Sequence, residues 1–97
     1  MDSLSSVLPN AVRILLRQGP MSPGKLRLAW RVAVGAAIDR VTTVSMDDHK
    51  VVQVVAPDAT WRRELKRSQA LILSRLRDLV GADEVASVKI LGKSGKE

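Results

Sequence analysis

Four cations, Arg62, Arg63, Lys66 and Arg67, fall within the stretch Pro57-Asp58-Ala59-Thr60-Trp61-Arg62-Arg63-Glu64-Leu65-Lys66-Arg67. Guanidinium and ammonium groups so placed have one chemistry to offer, the neutralisation and hydrogen bonding of anions, phosphates above all. Trp61, Leu65, Ile72, Leu76 and Leu79 recur at helical spacing, which predicts a helix with a core-facing apolar seam and the four cations on its outward side. Cations near a helix N-terminus oppose the macrodipole and repel one another. A phosphate backbone or an acidic protein surface would compensate that arrangement. A solvated helix face is the ordinary origin of a charge run. What sets this one apart is its place at the helix start and the basic balance of the whole chain.

If nucleic acid binds there, the contacts go mainly to phosphates, which position the ligand without reading its sequence. Each phosphate neutralised on a single strand adds about −0.7 to the log–log salt slope, so four to six contacts give roughly −3 to −4. Arg13, Arg17, Lys25, Arg27 and Arg31 are candidates to extend the surface. Phenylalanine and tyrosine are absent, so the strand-face aromatics that stack bases in several single-strand readers are missing. Both tryptophans are assigned to the core.

Other chemistry is poorly represented. His49, beside Asp47 and Asp48, offers weak metal ligands on one reading and turn residues on the other, and turn chemistry is the commoner use. Gly92-Lys93-Ser94-Gly95 matches the G-x-x-G of nucleic-acid-holding KH loops literally, but it follows the last strand instead of joining two helices. The same residues imitate the end of a phosphate-binding loop. The first glycine of that motif would fall at Ser87, and no helix follows. No serine has a base placed to activate it, and no carboxylates are spaced as an acid/base pair. We read no catalytic residue, no metal site and no cofactor.

The chain has 97 residues, enough for one domain with one core. A formal net charge of +6 and a pI near 10.5 narrow the partners to nucleic acid, an anionic membrane or an acidic protein. Cysteine is absent, which removes disulfides and thiolate sites and fits a reducing compartment. No signal-peptide pattern opens the sequence, and no apolar run has the roughly 20 residues needed to span a bilayer. The expectation is a cytoplasmic protein without a membrane partner.

The elements follow from periodicity and capping. Val7, Val12, Leu15 and Leu16 form an irregular apolar face in the first segment, where a helix is predicted from about Pro9 to Gln18. Ser22 is the expected N-cap of a second helix, with Pro23 at its first position and Leu26, Trp30 and Val34 turned inward. Gly35 ends or bends that helix. Val41–Met46 and Lys50–Ala56 read as strands around an Asp47-Asp48 turn, with Val52, Val54 and Ala56 facing the helices. Asp58 caps the long basic helix, which is predicted to run to Val80 and stop at Gly81. Glu84–Leu91 reads as a third strand. The order is α-α-β-β-α-β, an α+β domain over residues 1–91 with its three-stranded sheet covered on one face by helices. Residues 92–97 are expected to form a short polar, disordered tail. Val51 and Val55 on the outer sheet face leave a self-association patch open beside the reading of ordinary scattered surface valines.

Trp30 followed by Val34-Gly35 and Ile38, then a hairpin, then Val52-Gln53-Val54-Val55-Ala56-Pro57-Asp58-Ala59-Thr60-Trp61 with Glu64-Leu65, resembles the DciA-like family of bacterial helicase accessory proteins. The likeness runs from about Val12 to Leu91. It implies a KH-like fold, cytoplasmic residence, contact with the replicative DNA helicase, and help in placing that helicase on DNA without an ATPase of the loader's own. DNA contact would be non-specific, on single-stranded or forked DNA. Two other uses of such a domain remain open: an RNA-binding KH-like module acting through the same basic helix, and a self-associating scaffold.

Overall fold

The computed structural model describes residues 10–92, with side chains from Ile14 onward. The Pro9 start, Val7, Val12 and Arg13 side chains, and the tail from Lys93 onward therefore lie outside the described residues. Helix α1 spans Asn10–Arg17 and sends Leu16 into the core, while Leu15, expected beside it, is exposed together with Ile14. Ser22 starts the next helix as its sequence context requires. Its hydroxyl accepts the Lys25 N–H at 3.2 Å, and Pro23 occupies the first turn, where a missing donor costs nothing. Helix α2, Pro23–Val34, buries Leu26, Ala29, Trp30 and Ala33. Ala33 takes the inward place expected of Val34, which is only half-buried.

Gly35 does end this helix. Its φ of 93° and ψ of 163° lie in a region open essentially to glycine alone. The chain turns there into a short helix α3, Ala36–Val41, so Val41 closes a helix instead of opening a strand. A Cβ at Gly35 would meet nothing within 4 Å, which separates backbone strain from crowding. Gly35→Ala is expected to lose about 1–3 kcal/mol of stability through that strain alone. Urea denaturation of the variant measures it, and an unchanged midpoint would contradict the assignment.

Strands β1 (Thr43–Met46) and β2 (Val51–Val55) form an antiparallel hairpin, and β3 (Ser87–Leu91) adds parallel to β2, giving the order β1-β2-β3. Parallel neighbours need a crossover, and two helices supply it. Helix α4 spans Ala59–Arg67 and helix α5 spans Gln69–Val80. The single long helix expected to reach Val80 is thus broken at Ser68, whose φ of −100° and ψ of 8° leave the helical region. The Ser68 N–H bonds back to the Leu65 and Lys66 carbonyls, tightening the last turn. Gly81 stops α5 with φ 111°, and residues 84–86, expected to begin β3, connect to it without joining the sheet.

Alternation along the strands sets the core. Val52, Val54 and Ala56 are buried, with Val88 and Ile90 beside them in register and Val44 and Met46 half-buried on β1. The helices cover this face with Leu26, Trp30, Leu65, Ile72 and Leu76. The opposite face carries three cross-strand rows: Thr43, Val55 and Leu91; Ser45, Gln53 and Lys89; Val51 and Ser87. The polar middle row separates Val51 from Val55, so this face presents no continuous apolar patch of the kind that marks self-association. Among the described residues, no helix is long and apolar enough to cross a membrane.

At the hairpin, Asp47 is a turn residue. One carboxylate oxygen accepts the N–H groups of His49 at 2.8 Å and Val51 at 3.0 Å, and the other accepts Gln53 Nε2 at 3.4 Å. Lys50 closes the turn in the left-handed region at φ 63°. Among the described residues no group of three metal-ligating side chains forms. The Val51 N–H, foremost among these donors, holds the Asp47 carboxyl below its ordinary value of 3.8, against a partial desolvation that raises it. A carboxyl lowered in the folded state contributes stability that is complete above its unfolded value and lost as pH falls through the folded one. Asp47→Asn is therefore expected to flatten part of the acid limb below that value in urea midpoints measured against pH. An unaltered acid limb would show that the turn bonds do not depend on the charge.

Candidate nucleic-acid interface

Asp58 fixes the start of the basic helix. Its carboxylate accepts the Trp61 N–H at 2.8 Å and meets the positive end of α4. From that start, Leu65 turns into the core and Trp61 packs against it half-buried. The tryptophan lines a recess with Ile38, Leu71 and Arg75, so it is a partly exposed wall and not the enclosed anchor expected from periodicity. The spacing of Arg62 and Lys66, and of Arg63 and Arg67, places each pair one turn apart. Arg63, Lys66 and Arg67 are exposed and Arg62 is half-buried.

The break at Ser68 changes the electrostatics of this cluster. Lys66 and Arg67 occupy the last turn of α4, where the macrodipole favours cations. All four cations would oppose the dipole only in a helix that ran on to Val80, and α4 stops at Arg67. Arg67 Nη1 also pairs with Glu64 Oε2 at 3.2 Å across an exposed turn, an interaction worth about 0–1 kcal/mol. Arg63 and Lys66 offer an anion a short stripe of exposed charge, with the exposed Glu64 as the acid beside it.

The other cations divide sharply. Arg17 reaches the Asp78 carbonyl, and Lys25 Nζ the carbonyls of Gln18 and Gly19, at the ends of α5 and α1. Lys50 Nζ donates to Asp83 O at 2.9 Å and Arg75 to Ala33 O at 3.1 Å. Arg77 binds both Val85 O and Ala86 O at 2.9 Å. These five satisfy main-chain acceptors that helix ends and connections leave open. Arg17 and Lys25, candidates for the extended surface, are thus engaged in holding the fold. Arg27 and Arg31 stay exposed on α2 and are joined by Arg40 of α3, which periodicity and charge runs in the sequence did not single out. The signal for Arg40 was present in Gly35: a helix that stops there and restarts must fold back beside α2.

Residues 3–90 match the protein family described as Dna[CI] antecedent, DciA. The chain belongs to the DciA family. The match takes in every described helix and all but the last residue of β3. A UPF0232 protein of Mycolicibacterium smegmatis is 30% identical over 66 residues, which is 68% of this chain and 34% of the relative. The chain therefore spans about a third of the length of the curated relative it matches.

Proposed function

We propose that this DciA-family chain is a non-enzymatic, cytoplasmic accessory of the replicative DNA helicase that binds the helicase and assists its loading on DNA. The observation that carries this reading is the family match across residues 3–90. Residues 1–91 act as one unit in it. The mechanism is stoichiometric: the chain binds one helicase state, or the helicase on DNA, more tightly than the alternative and shifts the population accordingly. Neither nucleotide nor cofactor enters.

The DNA contact assigned to Arg62, Arg63, Lys66 and Arg67 is non-specific and directed at the backbone of single-stranded or forked DNA. Two features support phosphate contact over base readout. The sheet face open to solvent carries no aromatic side chain. On the KH-like reading of the fold, a backbone-clamping loop belongs between the helices that join β2 to β3. This chain has Ser68 alone at that junction, with no glycine pair. Its cations therefore hold phosphates from the helix surface.

The test is a loading measurement. Adding the chain to its own replicative helicase and a fluorescent forked DNA should raise the fraction of helicase on the fork at limiting helicase. An unchanged fraction would contradict the proposal. An equimolar RNA competitor at the same salt that displaced the DNA more strongly than DNA itself would favour the RNA-binding alternative.

A further inference from the structure

Helix α3 has a different surface on each side. Ile38 lines the recess that holds Trp61, whereas Arg40 and Asp39 line a polar cleft with Arg27, Arg31, Thr42 and Thr43. We propose that this cleft is a second phosphate site, and that it takes backbone phosphates of the DNA held by α4. The proposal rests on the DNA contact proposed above and adds a location and a chemistry to it.

Three observations lead there. The first is convergence: Arg27 and Arg31 stand one turn apart on α2, and the Gly35 turn folds α3 back so that Arg40, in its last turn, joins them. The second is that nothing engages them. Among the described residues no hydrogen bond or ion pair involves any of the three side chains, whereas Arg17, Lys25, Lys50, Arg75 and Arg77 all donate to carbonyls. Like charges one turn apart cost a few tenths of a kcal/mol, and Asp39 is the only acid in the lining. Three cations against one carboxylate leave an excess of positive charge that folding does not use.

The third observation is shape. The cleft has a volume of 470 Å³, and a concave wall with a net positive charge concentrates its field on an incoming anion. Guanidinium forks match phosphate oxygens in pairs. The Thr42 hydroxyl is already committed, accepting Trp30 Nε1 at 2.9 Å and donating to Ile38 O at 2.8 Å. It fixes the wall and leaves the exposed Thr43 hydroxyl to a ligand. An acidic peptide would use the same forks but needs apolar anchors for affinity. Ala36 is the one apolar residue in the lining. A phosphate backbone needs no such anchor.

Binding of a fluorescent oligodeoxythymidine to the whole chain, followed by anisotropy across a salt series, tests the site. Arg27→Ala/Arg31→Ala/Arg40→Ala should weaken binding roughly tenfold or more at low salt and flatten the salt slope by about 2. Asp39→Asn, which adds no cation, should tighten it. Circular dichroism checks that both variants keep the fold, and Asp39→Asn decides the matter if the triple variant does not. Wild-type affinity and slope in both variants would overturn the cleft while leaving the α4 contact standing. No binding by the wild-type chain would overturn the DNA contact itself. A triple variant that kept its DNA affinity but lost the helicase would assign the cleft to an acidic protein surface and overturn the proposal.

Discussion

Replacing Trp30 by alanine is expected to cost about 3–5 kcal/mol of folding stability, more than any other single substitution in this chain for which a loss is predicted. The indole is fully enclosed between the helices and the sheet, with 0% exposure. Its Nε1 donates to the Thr42 hydroxyl, which in turn donates to the Ile38 carbonyl. One truncation therefore empties a large volume and removes the donor that ties α2 to the end of α3. Domains of this size have about 5–15 kcal/mol in total, and each kcal/mol lost lowers Tm by roughly 4–8 °C. The melting temperature should fall by more than about 10 °C. Trp61→Ala, at a half-buried position, is expected to cost less than half as much, because only part of its area leaves water on folding. Thermal melts of the two variants side by side decide it. Equal losses, or a Trp30→Ala protein as stable as wild type, would contradict the placement of the core.

Replacing Arg62, Arg63, Lys66 and Arg67 together by alanine should flatten the salt dependence of single-strand binding by about 3 on a log–log plot. The affinity at low salt should fall accordingly. The fold should be little affected, because alanine is the best helix former and the Arg67–Glu64 ion pair is exposed. Anisotropy across a salt series reads the slope, and a thermal melt reads the fold. A slope unchanged from wild type would remove α4 from the interface, whatever the cleft at Arg27, Arg31 and Arg40 contributes.

Where local chemistry dictates structure, the sequence was a sufficient guide. Ser22-Pro23 and Asp58 cap helices as their types require, and Gly81 stops one in the left-handed region. The alternation Val52, Val54, Ala56 set the buried face of the sheet. Resemblance supplied the family, which the match over residues 3–90 bears out. Three features were hidden for physical reasons. Ser68 interrupts the basic helix with a single residue of middling propensity, and no proline or glycine announces the break. Trp61 keeps its helical phase but sits at the rim of the core, and periodicity gives the face of a residue without giving its depth.

The third feature is the fate of the cations. Arg17, Lys25, Lys50, Arg75 and Arg77 look like any other surface charge in the sequence, yet each meets a carbonyl from a distant segment or a neighbouring turn. Only tertiary structure separates them from Arg27, Arg31 and Arg40. A net charge counts both sets alike, which is why it narrows the class of partner without locating the surface that meets it.

The most direct test of the central proposal is size-exclusion chromatography with light scattering on nuclease-treated chain mixed with its own replicative helicase at moderate salt. Co-elution with a defined mass increment is the predicted result, and it would give the stoichiometry at once. Two folded samples that elute separately, with forked DNA present as well as absent, would contradict a helicase-binding role.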